Sequence, residues 1–196
     1  ETDPGGSDGI AFKNTYGVDA QAEVDIAGIK VLGYSPQELA ADAKLTQAGI
    51  AGKYTFKISG VDENNNAAPM SKNDDGEVVS ETTNDAAGNV VFGKISFTME
   101  SVFGDTGDAQ TRGTERTKVF TYTVTETGEL PGVANDDAAE TGKTFTVTVT
   151  DDGNGGLSAE TSAVVPAPLF QFTNTYSITT PELSSVTDQI TITCLL

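Results

Sequence analysis

The 196 residues suit one ordinary domain with short appendages, and a formal net charge of -18, from 29 acidic against 11 basic residues, repels phosphate backbones and anionic lipid headgroups. The chain has no histidine and one cysteine, Cys194, which removes the commonest general base and zinc ligand, any intrachain disulfide and any thiolate metal cluster. With no apolar run of membrane-span length either, we set aside nucleic acid, membrane insertion, Ser-His-Asp hydrolysis and histidine- or thiolate-bound metals, expect no cofactor, and expect an extracellular β protein.

In chain order, the first distinctive string is Phe12-Lys13-Asn14-Thr15-Tyr16. It returns as Phe172-Thr173-Asn174-Thr175-Tyr176, with Asn14 and Asn174 160 positions apart. A weaker echo follows each copy: Ile29-Lys30-Val31-Leu32 after the first, Ile192-Thr193-Cys194-Leu195-Leu196 after the second. The chain therefore reads as an excerpt of a tandem array. Residues 1–17 are expected to hold the last strand of a preceding repeat, 18–178 a complete unit, and 179–196 the first strand of a following repeat, with Thr193 where that unit would carry a lysine.

Within the complete unit, alternating apolar and polar residues predict strands around Val24 to Leu32 and at Tyr54 to Ile58, Val91 to Met99, Phe120 to Glu126, Phe145 to Val149 and Phe170 to Tyr176. Turn-forming loops separate them at Asp62 to Gly76, Gly104 to Gly113 and Asp151 to Gly156. Ser35-Pro36-Gln37-Glu38 is a capping box with proline at the first helical position, so one short helix is expected over Leu39 to Ala48, closed by Gly49. Many short strands at this spacing predict an all-β sandwich.

Strand parity singles out three polar residues. Val24, Ile26, Gly28, Lys30 and Leu32 share one face; Phe120, Tyr122, Val124 and Glu126 share another; Phe170, Phe172, Asn174 and Tyr176 a third. Lys30, Glu126 and Asn174 should therefore point inward. Left unpaired in a core, each costs several kcal/mol, so they are expected to satisfy one another or to react. Apolar surroundings favour the uncharged forms, the amine of a lysine and the acid of a carboxyl group. An amine at Lys30 can attack the side-chain carboxamide of Asn174, with Glu126 bonded to the carbonyl oxygen and relaying a proton to departing ammonia. The product is a Lys30–Asn174 isopeptide bond.

These segments, Ile-Lys-Val-Leu at the start, Tyr-Thr-Val-Thr-Glu between and Phe-Thr-Asn-Thr-Tyr at the end, closely resemble the streptococcal-type pilin isopeptide linkage domain of Gram-positive surface proteins. Ala51 to Phe56, Gly88 to Phe92 and Phe145 to Gly153 look like further core strands of that family, and the resemblance spans roughly Val24 to Tyr176. It implies an immunoglobulin-like β-sandwich, with Lys30 and Asn174 as the linked pair and Glu126 as the catalytic acid. It also implies a structural role as stalk or shaft of a pilus or tandem-repeat adhesin on the cell wall, with neighbouring repeats of the same protein as partners. Leu130-Pro131-Gly132 lacks the Thr-Gly of a sortase pentapeptide, so polymerisation and wall attachment are not assigned to this segment.

Plainer readings exist for each residue. A strand lysine can snorkel to the sandwich edge, a strand-end glutamate can be solvated, Glu129 is a rival to Glu126, and an inward asparagine can be satisfied by backbone groups. The rival function is a calcium-assisted adhesin module for a host or cell-surface ligand. It would use oxygen donors of Asp3 to Asp8, Asn73-Asp74-Asp75-Gly76 and Asp151 to Gly156, although no string meets the full calcium-loop pattern.

Overall fold

Burial alternates residue by residue along nearly every strand, as the sequence parity requires. The structure, a computed structural model, describes residues 20–41, 43–104, 114–162 and 168–177. In chain order they form β1 (Gln21–Ser35), β2 (Thr55–Asp62), β3 (Glu81–Thr83), β4 (Asn89–Thr98), α1 (Met99–Phe103), β5 (Arg116–Thr127), β6 (Val133–Ala134), β7 (Lys143–Asp151), β8 (Leu157–Thr161) and β9 (Gln171–Ser177). The strands build a four-stranded sheet, β4-β1-β9-β6, and a five-stranded sheet, β3-β2-β5-β7-β8. The all-β sandwich expected from the sequence is the observed architecture. The proposed terminal repeats, with Asn14, Thr193 and Cys194, lie outside the described residues, as do Asp3 to Asp8 and most of the Gly104 to Gly113 loop.

The first and last strands among the described residues are neighbours. β1 and β9 pair in parallel, with Lys30 opposite Phe172 and Leu32 opposite Asn174, so Lys30 and Asn174 sit two residues apart on one face of one sheet. β5, flanked by β2 and β7, presents Phe120, Tyr122, Val124 and Glu126 from the other sheet. Aromatic rings fill the space between. Phe56 lies 5.6 Å from Phe172, Phe97 stacks on Phe120 at 5.5 Å, and Tyr122 stacks on Phe145 at 5.4 Å. Gly28 lets β1 pass the Phe170 ring, which a Cβ at that position would strike.

Among the described residues of Leu39 to Ala48 the expected α-helix does not form. Ser35 ends β1, and the following chain forms only short 3₁₀ turns at Gln37–Ala41 and Ala48–Ile50. The reason is competition from β1 for this segment's polar groups. The Gln47 side chain accepts from the Leu32 N–H at 2.8 Å and donates to the Lys30 carbonyl at 2.9 Å, while the Tyr34 hydroxyl donates to the Leu45 carbonyl. The one α-helix among the described residues begins where a strand end was expected, at Met99. Thr98 caps it by accepting from the Ser101 N–H, and Gly104 ends it at φ 74°.

Candidate functional site

Each inward polar residue is fixed by backbone before its side chain is considered. Pairing between β1 and β4 stops at Ile29 and Asn89, leaving the next stretch of β1 without a strand on that side. The Lys30 N–H donates instead to the Gly88 carbonyl at 2.7 Å, and the Gln47 amide bridges the Lys30 carbonyl and Leu32 N–H. Gly88, at φ 94°, packs so closely on the Lys30 carbonyl that a Cβ would overlap it. Glu126 stands near the end of β5 opposite Phe56, and its N–H donates to the Ala139 carbonyl at 2.8 Å. Asn174 is held between β1 and β6 in the middle of β9.

The structure brings the three side chains together in the interior. Lys30, Glu126 and Asn174 are buried, at 0%, 1% and 0% exposure, so snorkelling and solvation do not describe them. Lys30 Nζ donates to Glu126 Oε2 at 2.6 Å, and Asn174 Nδ2 donates to Glu126 Oε1 at 2.7 Å. One carboxyl group thus grips the amine and the amide at once. Glu126 meets the nitrogen of the Asn174 amide rather than its oxygen, which differs from the sequence expectation. The oxygen is already occupied: Asn174 Oδ1 accepts the Asp136 N–H at 2.8 Å. That bond, with acceptors on both sides of Nδ2, fixes the orientation of the amide.

Aromatic rings dry the cluster. Lys30 Nζ lies 4.4 Å from the centroid of Tyr54, whose buried hydroxyl lies beside the Asn174 side chain. Burial pushes the Lys30 amine below the ordinary lysine value of 10.5, a shift that the hydrogen bond and charge of Glu126 oppose. The same desolvation raises the Tyr54 phenol. An amine with reduced proton affinity, a bound carboxyl group and a polarised carboxamide are the ingredients of acyl transfer between nitrogens.

Sequence reasoning missed Tyr54 and the turn that carries Asn135 and Asp136. Tyr54 was legible only as a strand residue, and Asn135-Asp136-Asp137 reads as ordinary turn chemistry. In the Asp151 to Gly156 loop offered for calcium, the Asp151 and Asp152 carboxylates are used locally. Asp152 accepts from the Asn154 and Gly156 N–H groups, and Asp151 accepts from Gly153 N–H and pairs with Arg116. Asn73 likewise accepts from the Asp75 and Glu77 N–H groups. Among the described residues no group of three or more acidic, cysteine or histidine side chains is arranged to hold a metal ion, and no helix is long and apolar enough to cross a membrane.

Among curated proteins none matches the chain. Among solved structures, the chain is similar to the major pilin protein T-13 of Streptococcus pyogenes, at 14% identity and a TM-score of 0.31. That alignment covers 81% of this chain and 53% of the pilin, so the chain spans about half of that protein's length. The family model described as FctA, Spy0128-like isopeptide containing domain, matches residues 27–177. That span holds all three members of the buried cluster, and the chain belongs to the Spy0128-like isopeptide containing domain family.

Proposed function

We propose that residues 18–178 are one stalk unit of a Gram-positive surface protein, a pilus or tandem adhesin, locked by a self-formed isopeptide bond between Lys30 and Asn174. The observation that carries this reading is the double grip of Glu126 on Lys30 Nζ at 2.6 Å and Asn174 Nδ2 at 2.7 Å in a dry interior. Membership of an isopeptide-containing family supports it.

The step balances without a co-reactant. Glu126 takes a proton from the Lys30 ammonium, and the freed Nζ lone pair attacks Asn174 Cγ. Glu126 hands that proton to Nδ2 and takes the second Nζ proton in its place, the Cγ–Nδ2 bond breaks, and ammonia leaves. Of the two protons lost by Lys30, one departs in ammonia and one stays on Glu126, so charge is conserved. A buried ion pair becomes a neutral secondary amide beside a neutral acid, and the cost of keeping charges out of water disappears. This is a single self-modification, not turnover.

The link has a mechanical rationale. Residues 30 and 174 lie 144 positions apart, so closing that loop removes unfolded-chain freedom worth about 5 kcal/mol in the loop-entropy treatment. Because β1 and β9 are the first and last strands, tension entering at Gln21 and leaving at Ser177 would cross the covalent bridge and bypass everything between. Intact mass spectrometry tests the reading: the folded protein should weigh one ammonia less than its sequence, with a tandem fragment joining the Lys30 and Asn174 peptides. Full sequence mass in mature, folded protein would overturn it.

A further inference from the structure

The carbonyl oxygen of Asn174 is the atom on which negative charge gathers when Nζ attacks, and Glu126 does not touch it. Its partner is the Asp136 N–H, at 2.8 Å. Nδ2, the atom that must leave, has a second acceptor, Asn135 Oδ1 at 3.0 Å. Two consecutive residues of one turn therefore address the two atoms of the amide whose electrons move.

The turn is pinned from several directions. Asp136 Oδ2 accepts from the Thr173 N–H at 2.8 Å, on the strand that carries Asn174. Asp136 Oδ1 accepts from the Ala138 N–H and pairs with Lys143 Nζ, both at 2.9 Å. Burial alone would raise the Asp136 carboxyl group, yet these bonds hold it below its ordinary value, so it stays an anion. Asn135 Nδ2 donates to the Gly128 carbonyl at 2.9 Å, which aims Oδ1 at the Asn174 amide. The Ala139 carbonyl accepts the Glu126 N–H, so the same turn registers the carboxyl group against the amide.

Resting on the cross-linking reading, we propose that the Asn135–Asp136 turn is the oxyanion and leaving-group station of the reaction. As Nζ bonds to Cγ, the carbonyl pair moves onto Oδ1 and is held by the Asp136 N–H, a preformed dipole that needs no rearrangement when charge appears. As that pair returns, the Cγ–Nδ2 bond breaks, and Nδ2, protonated through Glu126, departs along its hydrogen bond to Asn135. Asn135 is itself exposed, and it lines an open cleft of about 410 Å³ with Glu126, Gly128, Asp136 and Glu140, which gives ammonia a route to water. Asn135 and the Asp136 N–H touch reacting atoms; Thr173 and Lys143 act on them only through Asp136 and are positioning residues.

The test is the rate of cross-link formation, read as loss of one ammonia by intact mass after unlinked, denaturant-solubilised protein is refolded by dilution. Replacing the 135–136 amide by an ester removes the Asp136 N–H and keeps every side chain; the expected slowing is roughly a hundredfold. Asn135→Ala should slow the reaction at least about tenfold, and Asn135→Asp, which keeps an acceptor toward Nδ2 but loses the donor to Gly128, should recover only part of the rate. Circular dichroism on each variant establishes that it folds. A parent that links while the ester and Asn135→Ala proteins link equally fast overturns this inference and leaves the cross-link intact. A parent that never links overturns both.

Discussion

Lys30 and Lys57 each face a glutamate, and the two pairs could hardly differ more in setting. Lys57 meets Glu81 at 3.1 Å across β2 and β3, with the two side chains 60% and 54% exposed. Lys30 meets Glu126 at 2.6 Å with both side chains fully buried. Water screens the first pair, which also has to immobilise two long side chains, so little is gained. In the second pair water is gone, attraction is strong, the cost of desolvation is stronger still, and the amine is drawn toward neutrality. The lesson is that burial, not residue type, separates a pair that gains little at the surface from one whose amine is pushed toward the neutral form that the proposed cross-link needs.

The comparison can be broken most forcefully at Glu126. Glu126→Ala should abolish the mass loss and leave the Lys30 amine buried without a partner, costing about 3–5 kcal/mol beyond the roughly 5 kcal/mol lost with the closed loop, measurable by urea unfolding. Lys30→Met with Glu126→Gln sharpens the distinction. It also prevents the bond but removes the stranded charge, so it should unfold at a higher urea concentration than Glu126→Ala while remaining below the linked parent.

A smaller effect is expected from pH in Asn174→Ala, where Lys30 stays unlinked. Because burial lowers the Lys30 value in the folded state, the unfolded chain binds that proton more tightly. Stability should therefore be lowest below the folded value and rise as pH climbs toward 10.5, the opposite of what an exposed, carboxylate-paired lysine gives; a flat profile in thermal melts would count against the buried amine. Tyr54→Phe, which deletes a buried hydroxyl beside the Asn174 side chain, should change stability by no more than about 1 kcal/mol. Lys57→Ala should leave the melting temperature unchanged within error.

The sandwich and the positions of Lys30, Glu126 and Asn174 were legible because strands write their two faces into alternate residues. Val24, Ile26 and Leu32 around Lys30, and Tyr122 and Val124 before Glu126, declare the inner side without any knowledge of their partners. What could not be read was anything set by long-range backbone contact. Asn135 and Asp136 sit in a turn whose residue types suit any turn, and their role comes from lying 39 and 38 positions before Asn174 in sequence yet against it in space. The capping box at Ser35 failed for a related reason. Gln47, a good helix former, is instead claimed by the open edge of β1.

The parallel alignment of β1 and β9 fixes how such a module occupies length. A chain that goes in at Gln21 and comes out at Ser177, level with Ser35, emerges at the pole opposite its entry instead of doubling back. That advance is roughly 45 Å at the usual rise for extended backbone. Copies strung in series would accordingly lengthen a fibre in proportion to their number, each contributing its full height like a course of masonry.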